Sequence, residues 1–153
     1  MICGFGRVGA EIGAALDRWH QPYSVIELNP AIVRDLRARG IEALYGDAAT
    51  RVELETAGVP TARTVAVTTP DLLVTEAVIR NARALNPAIH VIVRAPGTGD
   101  VRGLTAEGAD EIVQPEFEAG LEFVRQVLGW QGIDAAETEE LLDARRQTVY
   151  GTA

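Results

Sequence analysis

Three glycines spaced as G-x-G-x-x-G, Gly4, Gly6 and Gly9 in the stretch ICGFGRVG, restrict the fold of this 153-residue chain more than any other feature. Such a turn belongs between a strand and a helix. The first glycine allows the tight turn, the second lets a pyrophosphate approach the backbone, and the third lets the helix lie close on the strand. The spacing alone is weak evidence, because glycines are common in turns, but its flanks strengthen it. Apolar residues at Val8, Ile12, Ala15, Leu16 and Trp19 recur at helical spacing, so Gly9 is expected to open an amphipathic helix. YSVIEL, Tyr23 to Leu28, reads as a buried strand. Its acidic Glu27 lies 18 positions beyond Gly9, near the spacing of about 20 at which a carboxylate receives ribose hydroxyls.

The rest of the chain repeats the alternation. Pro30 suits the first position of a helix carried by 31–39, and Gly40 suits its C-terminal cap. IEALY follows as a third strand, and a short helix over 51–57 is capped by Thr50 and stopped by Gly58. TVAVTT, IHVIVRA and DEIV are the remaining strands, with helices from Asp71 to about Leu85 and up to Gly108 between them. Six strands rich in Val and Ile, joined by five crossover helices, predict an α/β fold: a doubly wound, parallel six-stranded sheet over 1–114. A helical extension over 115–153 should follow. Within it EFEAGLEFVRQVLGW carries one apolar stripe at Phe117, Leu121, Val124 and Leu128 and another at Phe123, Val127 and Trp130. A helix apolar on two sides needs two surfaces, such as its own sheet and a second subunit, or else a place sunk within one domain. The last segment, 134–147, starts acidic and ends at Arg145 and Arg146, as a helix dipole favours.

Composition removes several function classes. A net charge of −8 without a clustered basic face argues against nucleic acid as a partner. No apolar run approaches the roughly 20 residues of a membrane span, and no signal peptide precedes the first strand. Cys3 is the single cysteine, so no internal disulfide forms; a reducing cytoplasm fits, and Cys3 reads as a buried structural thiol. No Cys/His cluster has metal-ligand spacing. All fourteen basic residues are arginine, which excludes lysine chemistry, and the only serine, Ser24, opens a strand. His20 and His90 lie far apart, neither with a partner that would make it a base. The chain therefore reads as no enzyme. Only Met1, Ile2 and Cys3 precede Gly4, short for a first strand, which suggests a piece of a longer chain.

A doubly wound sheet binds ligands beyond the carboxyl ends of its strands. The candidates for a nucleotide site are therefore Gly4, Phe5, Gly6, Arg7, Val8 and Gly9 in the first turn, and Glu27 and Leu28 after the second strand. Asp47 and Ala48 follow the third strand, Thr68 and Thr69 the fourth, and Arg94 the fifth. Arg7 stands beside any phosphate, Asp47 borders the adenine, and Arg94 reaches a phosphate or a partner subunit, or is a solvated loop residue. The Glu27 charge would repel a 2′-phosphate, so NAD(H), AMP, ADP or ATP is favoured over NADP.

Read in order, ICGFGRVG, VIELNP, GDAAT and ARTVAVTTPD resemble the regulator-of-potassium-conductance family, the RCK or KTN domains of TrkA-N type. The resemblance runs from Ile2 to Leu128. IVQPEFEAGLEFVRQVL is similar to the versions fused to monovalent cation/proton antiporters of the glutathione-regulated potassium-efflux type. It implies a Rossmann fold that holds an adenine nucleotide through Gly4, Gly6, Gly9, Arg7, Glu27 and Asp47. It also implies a homodimer through the helix around 116–130, and a cytoplasmic regulatory role for a membrane potassium transporter or channel. Glu27 stands where the family often has Asp, which leaves ribose binding intact. A reading from another class is the cofactor domain of an NAD-dependent oxidoreductase; against it, too little chain follows Gln114 for a substrate domain.

Overall fold

The structure, a computed structural model, describes residues 1–151. Six parallel strands, β1 (Ile2–Cys3), β2 (Ser24–Glu27), β3 (Glu42–Tyr45), β4 (Thr64–Val67), β5 (His90–Arg94) and β6 (Glu111–Val113), form one sheet in the order β3-β2-β1-β4-β5-β6. Ile2 pairs with Val25 and Ala66, and Cys3 with Ile26 and Val67, so the shortest strand is the centre of the sheet. After β3 the chain crosses over β1 to its other side. That reversal is where an open sheet leaves a crevice at its carboxyl edge.

The helices α1 (Arg7–Arg18) and α2 (Pro30–Ala38) cover one face. There Ile2, Phe5, Val25, Val33 and Leu36 form one buried cluster. The other face carries α3 (Arg51–Thr56), α4 (Leu72–Leu85) and α5 (Val101–Glu107) over Cys3, Ile26, Leu54, Val78, Ile79 and Leu104. Successive residues of a strand point to opposite faces. Ile2 and Cys3, like Val25 and Ile26, are thus divided between the two cores. The ends of the helices follow local chemistry. Asn29 caps α2 by accepting from the Ala31 N–H, Thr50 caps α3 by accepting from the Glu53 N–H, and Gly40 leaves α2 at φ +79°.

The sheet, its order of elements and the crossover helices agree with the sequence reading, with several local corrections. Helix α1 opens at Arg7 with Gly6 as its cap, one half-turn before Gly9. Its buried residues are Gly9 and Gly13, whereas Ala15 and Trp19 are exposed. The Phe5 ring fills the space beside Gly13, so α1 approaches the sheet through absent side chains at Gly9 and Gly13, with Ile12 and Leu16 of the expected stripe packed against the core beside them.

Two helices complete the chain, α6 (Pro115–Trp130) and α7 (Ala135–Tyr150). Helix α6 packs chiefly on α7 rather than on the sheet. Leu121 and Leu142 are buried, and the Phe117 and Tyr150 rings meet edge to face at 5.6 Å. Arg146, expected to serve the end of α7, instead pairs with Glu118 of α6 at 3.0 Å, and no basic residue lies in the last turn of α7. The second stripe of α6 stays open: Phe123, Val127 and Trp130 are 73%, 57% and 89% exposed. Residues 152 and 153 of the expected extension lie outside the described ones. Among the described residues no helix is long and apolar enough to cross a membrane.

Candidate functional site

The carboxyl edge of the sheet holds a cavity of about 470 Å³, within the range of small-molecule sites. Its walls come from the β1–α1 turn and from the ends of β2, β3, β4 and β5. Of the residues expected from sequence, Gly4, Gly6, Arg7, Val8, Glu27, Leu28, Asp47, Ala48, Thr68, Thr69 and Arg94 all reach it. Phe5 and Gly9 do not; both lie beneath the turn.

The turn is built to be bare. Gly4 sits at φ +86°, a left-handed conformation that side chains rarely adopt, and its N–H donates to the Ile26 carbonyl at 2.9 Å. Gly9 is buried, and a Cβ there would lie inside van der Waals contact of the Gly4 carbonyl and 3.1 Å from Thr68 Oγ1. Gly6 differs. Its φ of −74° suits any residue, and nothing lies within 4 Å of where its Cβ would be. The backbone there faces open space at the start of α1, whose first amides lack acceptors within the helix. No acidic residue stands in that first turn, and Arg7 opens the helix. Space above a glycine, free amides and a positive helix terminus fit a phosphate.

Glu27 is fixed at the end of β2. Its Oε2 accepts from the Phe5 N–H at 2.6 Å and its Oε1 from the Asn29 N–H at 2.8 Å. Each carboxylate oxygen has a second lone pair, so a ribose diol has acceptors beside the glycine turn. Phe5 thus contributes its backbone to hold the carboxylate. Asp47 folds back in a local turn, accepting from the Ala49 N–H at 2.9 Å.

Thr68 and Thr69 brace the site. The Thr68 hydroxyl donates to the Gly4 carbonyl at 2.9 Å, tying β4 to the glycine turn across the crevice. Thr69 Oγ1 accepts from the Asp71 N–H at 3.4 Å, and Asp71 in turn caps α4 through the Val74 N–H. Arg94, 19% exposed, donates from Nη2 to Glu116 Oε1 on α6 at 3.0 Å. Its partner lies in its own chain.

Sequence reasoning missed Cys3, Ile26, Gly46, Pro70, Asp71 and Val74 as walls of the cavity. All but Val74, in the first turn of α4, lie within a few residues of a strand end that was already assigned, which is the signal that would have found them. The Cys3 thiol is fully buried, and burial pushes it up to about 12, so it is a neutral wall and no nucleophile. His90, expected to have no partner that would make it a base, lies 2.8 Å from Glu111 Oε1 and 3.6 Å from Asp110 Oδ2. It begins β5, at the opposite edge of the sheet from the cavity. No cluster of three metal-ligating side chains occurs among the described residues.

The TrkA-N domain profile matches residues 1–115. A candidate K(+) efflux antiporter, KefB, of Alkalimonas amylolytica is 29% identical over 150 residues, 98% of this chain and 23% of that protein. A candidate cation/proton antiporter, YbaL, of Escherichia coli strain K12 is 34% identical over 118 residues, 77% of this chain and 21% of that protein. The chain thus spans less than a quarter of the length of these relatives. The crystal structure of the TrkA-N domain of ybaL, 33% identical, superposes with a TM-score of 0.77 over 80% of this chain and 90% of that one. The AMP-bound C-terminal domain of Kef from Shewanella denitrificans, 22% identical, has the same fold, with a TM-score of 0.80 over 96% and 90% of the two chains. With the profile covering three quarters of its length and a bare glycine turn at its switch point, the chain belongs to the TrkA-N domain family.

Proposed function

We propose that the chain is a nucleotide-binding regulatory domain that gates a monovalent cation transporter, in particular a potassium/proton antiporter. The observation that carries the reading is the open space over Gly6 at the start of α1, beside a carboxylate held by two backbone amides. The phosphates lie over Gly6 and beside Arg7, the ribose on Glu27, and the adenine toward Asp47, Ala48 and Leu28. Support for an adenine nucleotide comes from solved structures of the same fold: the Kef domain was crystallised with AMP, and the GsuK channel with NAD and with ADP. Support for an antiporter comes from the KefB and YbaL relatives. Residues 1–114 form the nucleotide-binding unit, and 115–153 the extension that carries its signal. The unit works as a homodimer joined through the open stripe of α6 at the inner face of the membrane. In this reading it binds and signals without turning over its ligand.

A ligand moves such a gate only by binding its two arrangements with different affinities. Calorimetric titration with AMP, ADP, ATP, NAD and NADH, alongside light scattering, tests the reading. A saturable isotherm that Glu27→Ala weakens about tenfold is expected, since a hydrogen bond to a charged group contributes roughly 1.5–3 kcal/mol. Absence of binding by all five nucleotides would refute it.

A further inference from the structure

Arg94 stands at the β5 end of the cavity, away from the carboxylates of Glu27 and Asp47, and its guanidinium is only partly satisfied. Nη2 donates to Glu116 Oε1, while Nε is buried and meets no hydrogen-bond partner. A buried N–H without an acceptor costs free energy, and an anion within reach relieves it. Beyond Glu116 the hydrogen bonds continue. Glu116 Oε2 accepts from Gln114 Nε2 at 2.7 Å, and buried Gln114 also donates to the Pro96 carbonyl at 3.3 Å. Gln114 Oε1 caps α6 by accepting the Phe117 N–H, and the Gln114 N–H donates to the Tyr150 hydroxyl at 3.1 Å, at the far end of α7. A continuous path of polar contacts thus leads from the cavity wall to the first turn of α6 and the last turn of α7.

We propose that Arg94 is the positioning residue that passes occupancy of the cavity to α6: a phosphate oxygen takes the guanidinium from Glu116, and the Glu116–Gln114 cap resets with it. This rests on the nucleotide reading above. The exchange is feasible because Glu116 is 67% exposed, and a pair so open to solvent is held weakly. A phosphate meets the same guanidinium fork that the carboxylate occupies. Coupling of this kind is reciprocal: by whatever factor the ligand weakens the Arg94–Glu116 pair, the pair weakens the ligand. For a half-exposed pair the factor falls at the low end of measured couplings, about fivefold.

The test is a double-mutant cycle with AMP, ADP and NAD titrated into wild type, Arg94→Gln, Glu116→Gln and the double variant. Glu116→Gln is expected to bind about fivefold tighter than wild type, and Arg94→Gln more weakly. In the Arg94→Gln background, Glu116→Gln has no further effect. Adenosine, which has no phosphate, binds wild type and Glu116→Gln equally. Hydrogen exchange at the Phe117 and Glu118 amides, read on the same proteins, accelerates with AMP in wild type and not in Arg94→Gln. If Glu116→Gln tightens binding equally in both backgrounds, a general field effect replaces the coupling and overturns the proposal. Equal affinities for wild type and Glu116→Gln overturn it too while leaving the nucleotide site standing. No binding by any variant overturns the nucleotide reading, and the coupling with it.

Discussion

Gly6→Ala and Gly9→Ala, two identical changes three positions apart, separate the ligand's need for a bare backbone from the fold's need for one. At Gly6 the φ of −74° is open to alanine, and the new methyl meets nothing within 4 Å. Alanine is a poorer helix cap than glycine, but it narrows the unfolded ensemble by about 0.4–1 kcal/mol, and the two effects offset. The melting temperature should stay within about 2 °C of wild type, since 1 kcal/mol shifts a domain of this size by about 2–4 °C. Nucleotide affinity should fall about tenfold or more, because the methyl takes the space a phosphate needs, and misfit of this kind costs about 1–3 kcal/mol. At Gly9 the methyl would run into the Gly4 carbonyl and lie 3.1 Å from Thr68 Oγ1, so helix and strand must separate. That overpacking costs about 1–3 kcal/mol and lowers the melting temperature by roughly 3–10 °C. Scanning fluorimetry of the two variants beside calorimetry with AMP and NAD reads both effects. A Gly6→Ala protein that binds both nucleotides as wild type does would refute the placement of the phosphates over that glycine.

Three further outcomes follow from the packing. Phe123→Glu combined with Val127→Glu is expected to reduce the mass measured by light scattering to that of one chain, without lowering the melting temperature; an unchanged mass would remove α6 as the dimer contact. Burial pushes the Asp110 carboxyl up, but the Val91 N–H and the Arg83 guanidinium outweigh it and hold the group below its ordinary 3.8. A depressed carboxylate stabilises the fold above its unfolded pKa and loses that contribution as the pH falls through the folded value. Asp110→Asn should therefore be less stable at pH 7 and show a flatter loss below about pH 4 in acid titrations followed by circular dichroism; an unchanged acid limb would count against the pairing. With its thiol near 12, Cys3 is expected to resist a thiol reagent at pH 8 until urea unfolds the chain; stoichiometric labelling of the native protein would show the central strand to be open.

The fold was legible where local chemistry and tertiary packing agree. The Gly4–Gly9 turn, the Thr50 cap and the Gly40 and Gly58 stops each mark an element end by rules that act within a few residues, and the structure keeps them. Legibility failed where the partner is distant in sequence. Periodicity marked Ala15 and Trp19 with Ile12 and Leu16, yet only the latter two pack on the core, because Gly13 lets α1 settle over Phe5, and no apolar pattern encodes an absence. The same reason hid the partner of Phe117, which is Tyr150, and that of Arg94, which is Glu116. Strand ends located the cavity because its walls are consecutive residues after each strand. The Phe5 amide on Glu27 was out of reach, since a hydrogen bond across 22 positions leaves no trace in spacing.

Helix α6 is capped by a buried glutamine at one end and carries an 89% exposed tryptophan at the other. Its 16 residues make a rod of about 24 Å at 1.5 Å per residue. A rod pivoting at Gln114 magnifies motion: a tilt of about 10° there sweeps Trp130 through about 4 Å, the width of a methyl group or more. A tilt of that size at the base would therefore carry the exposed apolar stripe at the tip through about one side-chain contact distance while the sheet stood still.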